Sequence, residues 1–425
     1  MVSIENGVLK VAHKKENITR YIFEACFVAN IICIFLLYSV TGGVPLMGGI
    51  LFASALFMLV GEGKKKITIP YNTVWYAIFT LYASLSCLWV EYYSSNVKDQ
   101  IIRLVVELIV ITSISIYVND LEDLERLMSL FIYSLVVIIV IEAVNAGPDR
   151  WFLGNIGSYT SGFNSNEIGF WVASGEIMCF YKFYVKGEKR FLPIFVLFFI
   201  FVILVSSRKD TIVCILGPVV LMLFYTYKKN YFPKIILMLI LAVTVVFFIM
   251  TDDALYRIIG YRFESMFEFM STKSQSTDNS LYLRGYFIQV AKNMFEESPI
   301  LGKGLRTFEE VLGNEYGMQK MYSHNNYWQL LSELGVIGFV LYYWFYVLCL
   351  VRLFKNIIKN KSRISVMFLT ILLLIIGGEY GIVTYYNRSM QVLIAFIYTS
   401  TYVGCQDGRL YQYIDGNINE MEELN

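Results

Sequence analysis

The protein has 425 residues, of which 57% are hydrophobic and 16% charged, and its mean hydropathy is +0.57. Soluble domains carry about 25% charged residues, so this composition indicates an integral membrane protein. The net charge of +1 excludes a strongly basic surface that would attract nucleic acid. The seven cysteines form no C-x-x-C motif and the chain has only two histidines, so we predict no metal site and no cofactor.

Apolar runs define the predicted elements in chain order. A helix needs about 20 residues to cross the hydrocarbon core of a membrane. The first run is too long for the apolar part of a signal peptide, so we assign it as a span. The runs lie at 21–40, 44–61, 71–90, 101–118, 127–144, 167–185, 191–206, 211–227, 234–251, 332–354, 364–380 and 390–404. We therefore predict an all-α membrane protein, a polytopic helix bundle of about 12 transmembrane helices.

One connection is much longer than the others and divides the chain into three parts. Residues 1–251 are predicted to form a bundle of about nine spans. Residues 252–331 form a large, partly helical external loop, and residues 332–425 form the C-terminal transmembrane helices and a cytoplasmic tail. A loop of this length with its own structure is usually functional.

Within the long loop the sequence predicts an amphipathic helix. Its apolar stripe consists of residues at helical spacing, namely Leu283, Phe287, Val290 and Met294. Asp278, Asn279 or Ser280 could cap its start, and Pro299 marks its end. The loop holds eight Lys or Arg and ten Asp or Glu, which argues against a nucleic-acid surface.

Lysine and arginine predict the orientation, because cytoplasmic connections are richer in them than external ones. The N-terminal tail and every second connection after it hold 21 Lys and Arg residues, whereas the other short connections hold six. We therefore place both termini in the cytoplasm and the 252–331 loop on the external side.

The segment "VSSRKDT" at 205–211 joins two apolar runs on the predicted outer side with almost no loop. Arg208 must therefore sit at or just under the membrane surface. One interpretation is a side chain that extends to the lipid headgroups. The other is an anion site, because a guanidinium group can grip a phosphate through two parallel hydrogen bonds.

Two further residues of the outer side could carry chemistry. Arg284 is early on the amphipathic helix, where an ordinary solvated position is the simpler interpretation. His324, in "MYSHNNYWQ", directly precedes an apolar run. An imidazole can take or give a proton near neutral pH, but a histidine that only makes structural hydrogen bonds fits the pattern equally well.

Two carboxylates lie deep within predicted spans, where such groups are usually paired or functional. Glu107 follows Arg103 by one helical turn, so a local ion pair explains it. Glu176 has no such partner on its own helix and is left without a role.

Four passages taken together resemble the O-antigen ligase and polymerase family, the Wzy- and WaaL-type membrane glycosyltransferases. "SSRKDTIVCILG" is similar to the S-x-S-R segment that opens a span in that family, and "LRGYFIQVAKNMFEESPILGKGLRTFEE" to its large outer loop. "SHNNYWQLLSELGVIGF" resembles its H-N-x-Y/F…L…E-x-G-x-x-G segment. "SGFNSNEIGFWVAS" is like a stretch further upstream, with Ser165 where the family usually has proline. The ordered set spans about residues 150–345 and is more specific than any single motif.

The resemblance implies a site and a substrate. Arg208, Arg284 and His324 take the family's catalytic positions, and Asn164, Asn166, Asn325 and Arg306 are implied substrate-binding residues. The implied donor is an oligosaccharide on undecaprenyl pyrophosphate in the outer leaflet of a bacterial cell (inner or plasma) membrane. Two guanidinium groups would neutralise the pyrophosphate without a metal, and His324 would activate the acceptor hydroxyl or bind phosphate. A chain-length regulator is a further implied partner.

Within the family we favour a polymerase, which passes the growing chain to the next lipid-linked repeat unit. The alternative is a ligase, which passes the chain to a terminal acceptor. A transporter such as a flippase for the same lipids is a third possibility. It predicts repeated halves with broken helices at the membrane midplane, but the sequence has no clear internal repeat, and one large loop on one side favours an enzyme.

The predicted topology can be tested with one cysteine. Lys273→Cys, in a background without the seven native cysteines, is expected to react with an impermeant thiol reagent in intact cells, or in spheroplasts if a wall blocks access. Labelling that appears only after lysis would place the 252–331 loop in the cytoplasm and overturn the topology.

Overall fold

The computed structural model describes residues 2–5, 8–11, 18–36, 42–63, 69–153, 156, 165–225, 231–275 and 277–422. At the N-terminus, β1 (Val2–Glu5) pairs antiparallel with β2 (Val8–Val11). The rest of the described chain is helical apart from its connections.

The first nine helices correspond in order to the first nine predicted runs. They are α1 (Ile18–Leu36), α2 (Gly43–Gly61), α3 (Tyr71–Leu85), α4 (Ser95–Tyr117), α5 (Leu121–Ala146), α6 (Ser165–Phe180), α7 (Phe191–Val205), α8 (Arg208–Tyr225) and α9 (Tyr231–Thr251). A 3-10 turn, Ser86–Leu88, follows α3, a second, Pro148–Leu153, follows α5, and a π-helical turn, Tyr181–Val185, extends α6.

The remaining helices comprise four in the long loop and three after it. They are α10 (Asp253–Leu255), α11 (Tyr261–Thr272), α12 (Asn279–Glu297), α13 (Thr307–Asn314), α14 (Asn326–Asn360), α15 (Arg363–Gly378) and α16 (Arg388–Glu422). A π-helical turn, Tyr256–Gly260, joins α10 to α11.

The predicted count of about twelve spans is not confirmed, although each predicted apolar run lies wholly or largely within a helix. Among the described residues, five helices are long and apolar enough to cross a membrane, namely α1, α2, α4, α5 and α14. A sixth candidate is a broken pair, 239–251 with 253–272, bent by 79°. Several other helices are too short to qualify; α7 and α15, for example, have 15 and 16 residues.

Helix ends that the predicted topology places in the cytoplasm contact one another through ion pairs. Arg20 at the start of α1 bonds to Asp123 of α5 through Nη1 at 2.5 Å, and to Glu62 after α2 through Nε at 2.5 Å. Lys186, after α6, lies 2.7 Å from Glu125. These pairs tie α1, α2, α5 and α6 together at one end of the bundle.

The amphipathic helix of the loop is confirmed as α12. Asp278 caps it, since its Oδ1 accepts from the Leu281 amide at 3.0 Å. The predicted stripe residues Phe287, Val290 and Met294 are buried and form a small outer core with residues of α13, Phe308, Val311 and Leu312. The long loop therefore has its own folded core above the bundle.

Helix α14 is broken at Gly335, whose backbone has φ 63° and ψ −169°. The break exposes backbone groups that pair with the segment after α12. The Val336 amide donates to the Pro299 carbonyl at 2.9 Å, and the Gly304 amide donates to the Glu333 carbonyl at 2.8 Å. The segment after α12 and the break in α14, which are about thirty residues apart in the sequence, thus contact each other through backbone hydrogen bonds.

Glycine is required on both sides of this contact. A Cβ added to Gly335 would lie 2.2 Å from the Ile300 carbonyl oxygen, and one added to Gly302 would lie 2.4 Å from that of Glu333. The Glu333 carboxylate reinforces the contact, because its Oε1 accepts from the Phe308 amide at 3.3 Å. It also accepts from Gln329 and Tyr385.

Gly335→Ala is therefore expected to destabilise the protein. The backbone conformation is one that essentially only glycine adopts, at a cost of about 1–3 kcal/mol for other residues, and the added methyl collides with Ile300. The unfolding temperature in detergent should fall clearly. Gly49→Ala, in α2 with no atom within 4 Å of the added Cβ, is the control and should not lower it. Equal unfolding temperatures for the two variants would contradict this assignment.

Candidate functional site

The site lies at one end of the bundle, where α6, α8 and α12 begin and α7 ends, and in the connections beside them. Between α7 and α8, Ser206 takes a left-handed conformation (φ 63°). Its hydroxyl donates to the Ile258 carbonyl, and its own carbonyl accepts from Arg262 Nη1 at 2.7 Å. The long loop therefore holds the turn that leads into Arg208.

Arg208, the first residue of α8, reaches the long loop. Its Nη1 donates to Asp278 Oδ2 at 2.6 Å and to the Arg262 carbonyl at 2.9 Å. Burial disfavours the ionised Asp278 carboxyl, but the hydrogen bonds from Arg208 and from the Leu281 amide prevail and lower its pKa. The residue that caps α12 thus also anchors that helix to α8.

Arg284 lies on α12 about one and a half turns after the cap. Burial lowers the pKa of its guanidinium, and the neighbouring charge of Arg208 lowers it further. A Cβ added to Gly381, in the turn after α15, would lie 3.6 Å from Arg284 Nη1. The structure therefore brings two of the predicted arginines into one partly buried, positively charged region.

His324 occupies a tight turn directly before α14, with φ 55°. The Ser323 hydroxyl donates to the Asn325 carbonyl at 2.9 Å, and the Ser323 amide donates to Gln329 Oε1 at 2.7 Å. The imidazole packs 4.2 Å from the Tyr322 ring and 6.3 Å from the Phe287 ring, between centroids. It therefore lies beside α12, the helix that carries Arg284.

The surroundings of His324 keep its ring neutral. Burial lowers the pKa of His324 to about 3, and the charges of Arg284 and Lys209 act in the same direction. At neutral pH the imidazole is thus unprotonated, and in the absence of a bound anion it is a weak base. A bound anion would oppose the positive field and raise this pKa, since a nearby negative charge favours the protonated form. The arrangement can therefore couple anion binding to a stronger base.

Two groups in this region were missed by sequence reasoning. Lys209 follows Arg208, and its buried ammonium has no hydrogen-bond partner among the described residues. Glu379 is fully buried at the end of α15, where its carbonyl accepts from the Asn326 amide at 2.8 Å. The adjacent "RK" in the sequence was a visible signal for Lys209. Nothing in the sequence distinguished Glu379 from an ordinary residue at the end of an apolar run.

Arg306 lies directly before α13. Its Nη2 bonds to Glu309 at 2.7 Å, and its guanidinium lies 5.5 Å from the Tyr386 ring centroid. Among the described residues, Arg306 Nε and the Tyr386 hydroxyl are buried without a hydrogen-bond partner. Tyr322, which contacts His324, also interacts with Tyr386. A polar region thus extends from His324 towards Arg306.

The three predicted asparagines have different positions. Asn325 caps α14, accepting from the Trp328 amide at 3.1 Å and donating to the Tyr380 carbonyl at 3.3 Å. Asn166 lies in the first turn of α6, beside Glu167, which interacts with Lys209. Asn164 lies outside the described residues. A substrate-binding role for these side chains stays a prediction.

The two carboxylates of the spans lie apart from this cluster. Glu107 accepts a hydrogen bond from Tyr76 of α3, and Glu176 faces Cys214 of α8. Within the part of the chain that the structure describes, no group of three or more His, Cys, Asp or Glu residues is placed to hold a metal ion.

The assembled region has several cationic groups, a neutral imidazole and a polar extension at one end of a membrane bundle. Residues 193–343 match the family model described as O-antigen ligase (Wzy_C). The resemblance to the O-antigen ligase and polymerase family is thus confirmed. The O-antigen ligase match runs from α7 into α14 and includes Arg208, Arg284, Arg306 and His324. No curated protein matches the chain at a significant level.

The neutral state of His324 can be measured directly. A His13→Gln variant leaves His324 as the only histidine, so its labelled imidazole can be followed by NMR in detergent. Between pH 8 and pH 5 its chemical shift is expected to stay constant, because a pKa of about 3 leaves the ring neutral throughout. Free histidine in the same sample is the reference and titrates near pH 6.5. A titration midpoint close to that reference would contradict the conclusion that burial and the neighbouring positive charges keep His324 neutral.

Proposed function

We propose that this protein polymerises lipid-linked oligosaccharide repeat units into a surface polysaccharide, such as a capsule, an exopolysaccharide or an O-antigen. The observation that carries this proposal is the cluster of Arg208, Arg284 and His324 at one end of a membrane bundle, within the O-antigen ligase match. The proposed location is the bacterial cytoplasmic membrane, with both termini inside and a chain-length regulator as a possible partner.

The donor in this proposal is an oligosaccharide on undecaprenyl pyrophosphate. Its pyrophosphate lies at headgroup level, and we propose that Arg208, in a short turn between two apolar helices, lies at the same level. Arg284 reaches the same level from α12. Two guanidinium groups are well suited to this anion, since each can make parallel charge-assisted hydrogen bonds to phosphate oxygens.

The proposed reaction is a glycosyl transfer. The hydroxyl oxygen of the acceptor sugar forms a bond to the anomeric carbon of the donor, and the bond from that carbon to the phosphate oxygen breaks. The electron pair leaves with the pyrophosphate, whose growing negative charge Arg208 and Arg284 stabilise. His324 takes the proton from the acceptor hydroxyl. These residues supply charge stabilisation and proton transfer, and we propose that the reaction is metal-independent.

The acceptor is proposed to lie on the Arg306 side of His324. The buried, unpartnered Arg306 Nε and Tyr386 hydroxyl could bond to sugar hydroxyls, and the rings of Tyr322 and Tyr386 offer stacking surfaces. A polymerase uses a second lipid-linked repeat unit here, whereas a ligase uses a different terminal acceptor. The polymerase is favoured because polymerases are the commoner members of the family.

Purified protein in proteoliposomes tests this proposal. With lipid-linked repeat units as the only substrate, a polymerase produces a ladder of longer chains, but a ligase produces none. Arg208→Lys and Arg284→Lys are expected to elongate roughly a hundredfold more slowly, because an ammonium group cannot replace the paired hydrogen bonds of guanidinium. His324→Asn should lose a similar factor while still binding donor, since asparagine cannot accept the proton.

Arg257→Lys is the matched control, because Arg257 lies in the same loop and its Nε donates to the nearby Asp253 carbonyl. It should elongate at the parental rate. Parental elongation rates in all three site variants would contradict the proposed mechanism. A product that forms only when a separate, non-lipid-linked acceptor is added would show that the protein is a ligase and not a polymerase. Loss of parental activity on chelation would show that the reaction requires a metal ion.

A further inference from the structure

Lys209 is the second residue of α8, next to Arg208, and its side chain lies inside the bundle end. Its Nζ is buried and has no hydrogen-bond partner among the described residues. It lies 5.7 Å from the ring centroid of Phe170 in α6. Its charge interacts electrostatically with that of Arg284, and it disfavours the protonated form of the His324 imidazole. The ammonium therefore lies beside α6 and within electrostatic range of α12 and of the turn that carries His324.

Two carboxylates, Asp210 and Glu167, interact electrostatically with Lys209, but its ammonium has no hydrogen bond to either among the described residues. Asp210 interacts with Lys209 electrostatically, but its carboxylate packs against α6, where a Cβ added to Gly169 would lie 2.5 Å from Asp210 Oδ2. Asp278, the partner of Arg208, is on α12. Lys209 and Arg284 thus place two positive charges in one partly buried region, and a buried ammonium without hydrogen bonds is costly.

A ligand that carries several negative charges would remove this cost. It could accept hydrogen bonds from Lys209 and Arg284 at once, and it would also meet the free amides at the start of α8, because the first N–H groups of a helix have no partner within the helix. A monoanion could satisfy one of the cations, whereas a pyrophosphate has enough oxygens for all of them.

We infer that Lys209 is a third cationic contact of the donor pyrophosphate, located between the leaving group and His324. This inference rests on the proposed function, and it gives a role to Lys209, to which neither the sequence analysis nor that proposal assigns one. Its ammonium donates hydrogen bonds to phosphate oxygens and shares the negative charge that develops when the glycosidic bond to phosphate breaks.

The competing explanation is that Lys209 only balances the charge of Asp210. The two explanations differ in a double variant. If Lys209 is a counter-ion, Lys209→Met is harmful because it leaves Asp210 unbalanced, and Lys209→Met combined with Asp210→Asn should restore function. If Lys209 contacts pyrophosphate, the double variant should stay defective.

The experiment measures binding without requiring turnover. The purified protein is placed in nanodiscs of neutral phosphatidylcholine, and binding of inorganic pyrophosphate and of undecaprenyl pyrophosphate is measured by calorimetry. Lys209→Met should bind both about tenfold or more weakly, the loss typical of one hydrogen bond to a charged group. Lys209→Arg should bind nearly as well as the parent. Size-exclusion chromatography and unfolding temperature identify any variant that misfolds.

Lys320→Met is the matched control, since Lys320 is a loop lysine whose ammonium already pairs with Glu310 at 2.5 Å. It should bind pyrophosphate like the parent. Should Lys209→Met misfold, Lys209→Gln takes its place, with the same expected loss. Parental pyrophosphate binding in the Lys209 variant, or recovery in the double variant, would overturn the inference, as would a parent protein that binds neither probe.

The outcomes separate this inference from the proposed function. A parent that binds pyrophosphate through Lys209 but does not elongate chains would refute the polymerase and keep the Lys209 contact. A parent that elongates chains while Lys209→Met binds and reacts normally would keep the polymerase and refute the contact. Binding of inorganic pyrophosphate but not of undecaprenyl pyrophosphate would indicate a site for a free anion. It would overturn the proposed contact between Lys209 and the lipid-linked donor.

Discussion

The site depends on the position of α12, which is held at both ends. At its start, Asp278 caps the helix and accepts a hydrogen bond from Arg208 of α8. After its end, the Pro299 carbonyl pairs with the Val336 amide at the break in α14. Arg284 is carried by α12, and His324 directly precedes α14. These two attachments therefore set the relative positions of the groups that the proposed reaction needs.

A second constraint is the concentration of positive charge in a partly buried place. Burial and the neighbouring Arg208 both disfavour the charged form of Arg284, and the pKa of His324 falls to about 3 for related reasons. In the free protein, the surrounding folded structure holds these groups together despite the unfavourable free energy of burying like charges. Groups that are placed before the substrate arrives need not reorganise during the reaction, which is the main source of electrostatic catalysis.

The helices of this fold were largely predictable from the sequence, because apolar runs and the Phe287–Met294 stripe follow simple periodicity. The number of spans was not, since apolar runs of similar length, 191–206 and 127–144, became helices of different length, α7 with 15 residues and α5 with 26. The ordered motifs pointed to Arg208, Arg284 and His324. The orientation of Lys209 and the pairing across Gly335 depend on contacts between distant segments, and local patterns carry no information about those.

The ion pair between Arg208 and Asp278 has a consequence for selectivity. The carboxylate already occupies the guanidinium at 2.6 Å, so any ligand must compete with an anion that is permanently attached nearby. Lipid headgroups with a single negative charge surround a membrane protein at high local concentration, yet they offer Arg208 little that Asp278 does not. A ligand with several charges gains more from the exchange. In the proposed reaction, the resident carboxylate would therefore disfavour singly charged lipids and favour a ligand with several negative charges, such as a pyrophosphate.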